Sequence, residues 1–127
     1  MLRPIPNDVL KYVAEISVCS GTDKWQNPTW TDYTINRVHL QATNEVRRTR
    51  DNAEVVLRSV LWIDGRRSQP VMDWYALQKQ SEDNGRELQV VVSNVKGDII
   101  GTYTVKTVDA LPDYPSDRIH HWELGMV

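Results

Sequence analysis

Tyr33-Thr34-Ile35-Asn36-Arg37-Val38-His39-Leu40 is the stretch that decides how this chain folds. Side chains of a strand alternate between its two faces. Tyr33 and Ile35 therefore share one face, while Val38 and Leu40 fall on the other. One extra residue inserted near Asn36 or Arg37 brings all four to the same side. Such a β-bulge also bends the strand, as closure of a small barrel requires. The spacing predicts a bulged strand beginning at about Trp30.

Working outward, period two dominates. Tyr12, Ala14, Ile16 and Val18 alternate with Glu15, Ser17 and Cys19, the pattern of a half-buried strand. Ser20-Gly21-Thr22-Asp23 stops it, and Asn27-Pro28 adds a second turn signal. From Glu54 to Ile63 both faces are apolar, with Val56, Val60 and Trp62 on one and Leu57, Leu61 and Ile63 on the other, so this strand is central or covered. Arg66-Arg67-Ser68-Gln69-Pro70 reads as an exposed linker. Asp73 can cap a short helix from Trp74 to about Asp83, where Trp74, Leu77 and Ser81 recur near one face and Asn84-Gly85 ends it.

Leu88, Val90 and Val92 mark a fourth strand, and Ile99 to Val108 a fifth. After a rigid loop at Leu111-Pro112-Asp113-Tyr114-Pro115-Ser116-Asp117, Arg118 to Val127 supplies a sixth strand. There Ile119, Trp122, Leu124, Met126 and Val127 need a sheet to bury them. The fold class expected is mainly β: a small antiparallel β-barrel or sandwich of about six strands with one short helix. A chain of 127 residues fits one domain, and residues 1–8, with two prolines, read as an extended N-terminal arm.

Composition limits the function classes. Lys plus Arg number 15 against 17 Asp plus Glu, a net charge of -2, which leaves no global excess for coating nucleic acid. One cysteine, Cys19, excludes an internal disulfide framework. Arg3 is followed by no run suited to a signal peptide, and nothing approaches the ~18 apolar residues of a membrane span; the expectation is a soluble protein, cytoplasmic at synthesis. Five tryptophans and no phenylalanine favour sites where a ring edge meets a polar group or a partner. Trp25, Trp30 and Trp74 lie beside turn signals and are interface candidates; Trp62 and Trp122 can equally replace Phe in the core.

Few constellations carry chemistry. His39, His120, His121 and Cys19 are the soft ligands, but adjacent histidines on a regular strand point to opposite faces, so no metal and no cofactor is expected. One of the pair is expected beside Trp122 or across a subunit contact, with mild pH sensitivity. Glu82, Asp83, Asp109, Asp113 and Asp117 sit beside turns as solvated or capping carboxylates. No nucleophile elbow, phosphate loop or metalloprotease spacing occurs, so no enzyme and no catalytic residue is expected. The polar stretch Ala42 to Asn52 contains Arg47-Arg48-Thr49-Arg50, which is either a solvated loop or a basic surface that meets phosphates without sequence preference.

Met1-Leu2-Arg3-Pro4-Ile5-Pro6, Asp23-Lys24-Trp25-Gln26-Asn27-Pro28-Thr29-Trp30 and the stretch from Gly101-Thr102-Tyr103-Thr104-Val105 through His120-His121-Trp122-Glu123-Leu124-Gly125-Met126-Val127 together resemble the minor capsid proteins of tailed phages and prophages of Gram-positive bacteria. These are of the head-closure or head-tail connector type. Ala42 to Gly97 contributes little to the resemblance. It implies a β-barrel subunit of a connector ring that closes the head and joins it to the tail, located in the virion and, during assembly, in the host cytoplasm. Its partners would be portal or adaptor proteins, tail proteins, further copies of itself and packaged DNA, with no membrane. Arg47, Arg48 and Arg50 would be the loop facing the DNA channel. Leu2, Ile5, Trp25, Trp30, Trp74 and Trp122 would serve subunit or partner contacts. The competing expectation is a small monomeric binding module that takes a peptide or sugar between Trp25, Trp30 and Trp74.

Overall fold

A computed structural model of the chain describes residues 10–49, 52–65, 68–70, 72–112 and 119–127. Among these, the strands are β1 (Tyr12–Thr22), β2 (Pro28–Ala42), β3 (Val46–Arg48), β4 (Glu54–Val56), β5 (Ser59–Asp64), β6 (Gln89–Asn94), β7 (Ile99–Pro112) and β8 (Ile119–Met126), with one helix, α1 (Trp74–Asp83). Every pairing is antiparallel. The order β1-β2-β5-β8-β7-β6 returns from β6 to β1, so six strands close on themselves as a barrel. The N-terminal arm with Leu2 and Ile5, and Arg50, lie outside the described residues.

The expected bulge sits at Arg37. Val13 pairs with Asn36 and Tyr12 with Val38, leaving Arg37 unpaired in the β1 register at φ 60°. Ile35 and Val38 both become fully buried as a result. In the linker after β5, Gln69 and Pro70 are exposed as expected, while Ser68 turns inward and reinforces the bend. Ser68 is buried; its hydroxyl donates to the Arg37 carbonyl at 2.6 Å and accepts from the Asp64 N–H at 2.8 Å. The Asn36 N–H donates to the Gln69 carbonyl at 3.0 Å. Polar groups that a bulge strips of ladder partners are thereby satisfied.

Ala14, Ile16 and Val18 fill the barrel from β1, Leu61 and Ile63 from β5, Val90 and Val92 from β6, Tyr103 and Val105 from β7, and Trp122, Leu124 and Met126 from β8. Each large side chain so buried is worth about 1.5–3 kcal/mol. The C-terminal strand pairs with β5 on one side and β7 on the other, which gives its apolar residues the sheet they require. A second irregularity, at Ser20, follows from pairing Cys19 with Trp30 and Gly21 with Thr29. There the Cys19 N–H donates to Ser81 Oγ and Asn84 Nδ2 donates to the Cys19 carbonyl, which ties α1 to β1.

Helix α1 has the expected bounds. Asp73 Oδ1 accepts from the Ala76 N–H at 3.2 Å, and Gly85 past the end has φ 76°. Its inward side corrects the expectation for two tryptophans. Trp74 is 0% exposed and Trp122 4%, because the first turn of α1 sinks into the apolar cluster and β8 faces inward at Trp122; neither ring can meet a partner. The expected continuous strand from Glu54 to Ile63 is broken at Leu57–Arg58. Its first part instead pairs with β3, where the sequence suggested only a polar loop: Val46 with Val56, Arg47 with Val55, Arg48 with Glu54.

Candidate functional site

The β3–β4 hairpin is held on the outer wall of the barrel. Leu57, 1% exposed, roots it: a Cβ on Gly125 would come within 2.7 Å of Leu57 Cδ1 and 2.2 Å of Thr107 Oγ1. The bare backbone of Gly125 thus leaves the space that Leu57 and Thr107 occupy. Backbone bonds from Thr43 to the Arg58 carbonyl and from Leu57 to the Glu45 carbonyl close the base.

Arg47 fastens the hairpin to β7 and β8. Its guanidinium lies 3.0 Å from Glu45, 3.2 Å from Asp109 on β7 and 3.4 Å from Glu123 on β8. Burial alone would lower the pKa of Arg47, but the hydrogen bonds and charges of Glu45 and Glu123 outweigh it and leave the value raised above that of a free guanidinium. With three carboxylates around it, Arg47 is already neutralised. Arg48 pairs with Glu54 at 3.2 Å and donates to the Asn52 carbonyl but remains exposed. The three arginines of the sequence motif are therefore not one surface: Arg47 faces the barrel, Arg48 faces solvent, and Arg50 lies outside the described residues. On the outward side of the hairpin, Val46 and Val56 stand opposite each other, each 60% exposed.

Glu123 belongs to a second cluster. Its Oε2 lies 3.3 Å from His121 Nε2, and His121 Nδ1 lies 2.8 Å from His120 Nδ1. The His121 ring stacks flat on Trp62, centroids 4.7 Å apart, and His39 meets Trp62 edge-on at 6.1 Å. Adjacent histidines do not point apart as a regular strand demands. Leu111 pairs with His121 and Pro112 with Ile119, so His120 is an extra residue and both rings turn to the same region. No group of three or more metal-ligating side chains forms among the described residues. Burial lowers the His121 pKa below 6.5; His120 adds to this, while Glu123 and Asp64 oppose it.

The β1–β2 hairpin tip is the other prominent surface. Asp23 Oδ1 accepts from the N–H groups of Trp25 (2.8 Å) and Asn27 (2.9 Å). Backbone bonds from Asp23 to Asn27 and from Gln26 to Asp23 complete the turn, with Gln26 at φ 64°. This local network fixes the turn and displays Trp25 at 72% exposure, with Lys24 Nζ 5.0 Å from its ring centroid. Trp30 is partly exposed on the strand below. Since Trp74 is internal, no groove is shared by Trp25, Trp30 and Trp74.

Two open grooves flank the helix. One, of about 460 Å³, lies between the hairpin and the barrel, lined by Glu54, Val55, Arg86, Glu87, Val105 and Lys106 among others. Lys106 is already paired with Glu87 at 2.9 Å. The other, of about 450 Å³, lies between α1 and β7 beside Tyr75, Gln78 and Val108. Tyr75 is engaged, its hydroxyl accepting from the Ala110 N–H at 3.0 Å and its ring meeting Trp122 edge-on. Neither groove collects a nucleophile, a base and an oxyanion donor. No helix among the described residues is long and apolar enough to cross a membrane. Compared with known proteins, the chain matches no family model, no curated protein and no solved structure.

Proposed function

We propose that this chain is a non-catalytic structural subunit of a tailed phage or prophage particle, placed in a connector ring where the head is closed and the tail attached. The observation that carries this reading is the β1–β2 tip: a turn fixed by its own hydrogen bonds that holds Trp25 out in solvent. A rigid, exposed tryptophan is the kind of anchor that dominates protein–protein contacts, because little conformational entropy is lost when it docks. The sequence around it, Asp23 to Trp30, is one of the stretches that resemble head-closure proteins. A six-stranded barrel with two projecting hairpins supports the same reading, since neighbouring subunits can engage projections without unfolding the core. Contact with packaged DNA falls in this proposal to Arg48 and Arg50, with Arg47 serving to hold the hairpin in place.

The test is co-sedimentation, with electron microscopy, of the protein and portal-bearing, DNA-filled heads from the same genome. The expected result is binding at the portal vertex that is reduced at least tenfold by Trp25→Ala. Replacing Arg48 and Arg50 together by Ser is expected to preserve binding and to increase DNA release. Absence of the wild-type protein from the vertex overturns the connector reading. Binding that ignores the loss of Trp25 overturns the role of the tip.

A further inference from the structure

Strand β6 is too short to fill its place in the barrel wall. It pairs with β1 from Tyr12 to Ser17 and with β7 from Ile99 to Thr104, and past those points α1 stands between the two longer strands. On the β1 side the helix supplies side chains in place of a ladder: Ser81 Oγ accepts from the Cys19 N–H at 3.3 Å, and Asn84 Nδ2 donates to the Cys19 carbonyl at 3.1 Å. On the β7 side the Tyr75 hydroxyl reaches the Ala110 N–H at 3.0 Å. Beside Val108 the helix stands off, and the groove of about 450 Å³ opens there.

The alternation of an antiparallel ladder fixes which groups face that groove. The Ala110 N–H turns to Tyr75, so Ala110–Trp122 is a non-hydrogen-bonded pair, and two residues back so is Val108–Leu124. Val108 therefore points its N–H and C=O away from β8 and toward α1, where no strand lies beside it among the described residues. Across the groove, Gln78 sits on the helix face that carries Trp74 and Ser81. It is 4% exposed, and its side chain makes no hydrogen bond among the described residues. A buried carboxamide left unpaired is unfavourable. We infer that this groove takes an extended peptide segment of another chain, which adds to the edge of β7 at Val108 and bonds on its other side to Gln78.

The occupant follows from the two walls. Successive residues of an extended chain turn their N–H and C=O groups to opposite sides. One residue can exchange both bonds with Val108 while its neighbour meets the carboxamide of Gln78, which offers two donors and an acceptor. Main-chain bonds of this kind carry the affinity wherever a peptide adds to a sheet edge. A charged ligand finds less here. Gln78 is neutral, and the charges at the rim are of opposite sign and engaged, Asp73 by the Ala76 N–H and Lys79 by Asp83. Tyr75, spanning from α1 to Ala110, closes one end and keeps the segment short. The inference does not rest on the connector reading.

Tethering tests this at any intrinsic affinity. In Lys79→Cys of the full chain, the peptide Cys-Gly-Val-Thr-Val with a blocked C-terminus is joined through a disulfide at the rim, which holds it at about millimolar effective concentration; the native Cys19 is buried and does not compete. Its β-branched residues favour the extended form. In ¹H–¹⁵N spectra the Val108 amide and the Gln78 carboxamide are expected to shift, and exchange of the Val108 amide to slow at least tenfold. The same peptide methylated at its Val and Thr nitrogens is expected to give no such protection, and Gln78→Leu to lose it. A tethered peptide that leaves Val108 unprotected overturns the proposal, and so does protection that survives methylation. Without peptide, Gln78→Leu is expected to hold or raise the denaturant midpoint, because it removes an unpaired amide. A lower midpoint shows that the amide serves the fold and overturns its role in binding.

Discussion

The two projecting hairpins are built in opposite ways. The β1–β2 tip is self-contained: Asp23 binds the backbone of Trp25 and Asn27, two and four residues away, and the turn asks nothing of the rest of the molecule. The β3–β4 hairpin borrows its order from the barrel. Its strands are three residues each, below what an isolated hairpin needs in water, and its anchors are Leu57 in the wall and Arg47 on carboxylates 62 and 76 residues distant. The first hairpin is suited to presenting a side chain. The second depends for its order on the wall beneath it.

Leu57→Ala gives the largest expected effect on this contrast. A buried leucine replaced by alanine costs about 2–5 kcal/mol, and here the loss includes the packing over Gly125. Chemical denaturation is expected to show that loss, and amide exchange to become fast in β3 and β4 while the β1–β2 turn keeps its protection. Equal loosening of both hairpins would abolish the distinction. Glu123→Gln comes next. It leaves Arg47 with Glu45 and Asp109 and costs about 1.5–3 kcal/mol, the range for hydrogen bonds to charged groups.

The pH dependence of stability follows from the same wall. The folded His121 has its pKa lowered, so between that value and 6.5 the unfolded chain binds the proton and the folded chain does not. Stability from this group is complete above 6.5 and declines as pH falls through the lowered value. Denaturant midpoints measured from neutral pH downward are expected to drop over that window in the wild type. A midpoint that rises there would contradict the sign.

Much of the barrel is legible in the chain because its signals are local. The conflict between Ile35 and Val38 demands the bulge at Arg37, and Asp73 with Asn84-Gly85 delimits α1. The same helix face that groups Trp74 with Leu77 and Ser81 also implies that Trp74 is internal, a stronger signal than its nearness to a turn. The wall that holds the second hairpin is illegible for the converse reason. Val46-Arg47-Arg48 is too short and polar to show a strand period, and the partners of Arg47 are set by barrel closure. The convergence of His120 and His121 depends on Pro112, which has no N–H to donate to the ladder, and the pairing slips beside it. Nothing within Ile119 to Glu123 signals that slip.

The smallest expected effects on stability belong to the self-contained tip, and they separate folding from function there. Asp23→Ala removes the acceptor for two backbone N–H groups in an exposed turn, at a cost of about 0.5–2 kcal/mol by analogy with lost caps. Trp25→Ala touches nothing that holds the fold and is expected to stay within about 0.5 kcal/mol of the wild type. The two should nevertheless agree in partner binding. One removes the ring and the other lets it wander, so that docking must then restore the order the turn had supplied. Titrating heads with each variant and measuring unfolding of the same samples checks this. If Asp23→Ala binds as the wild type does, display of Trp25 requires no preorganised turn, and the difference between the hairpins is one of position rather than of construction.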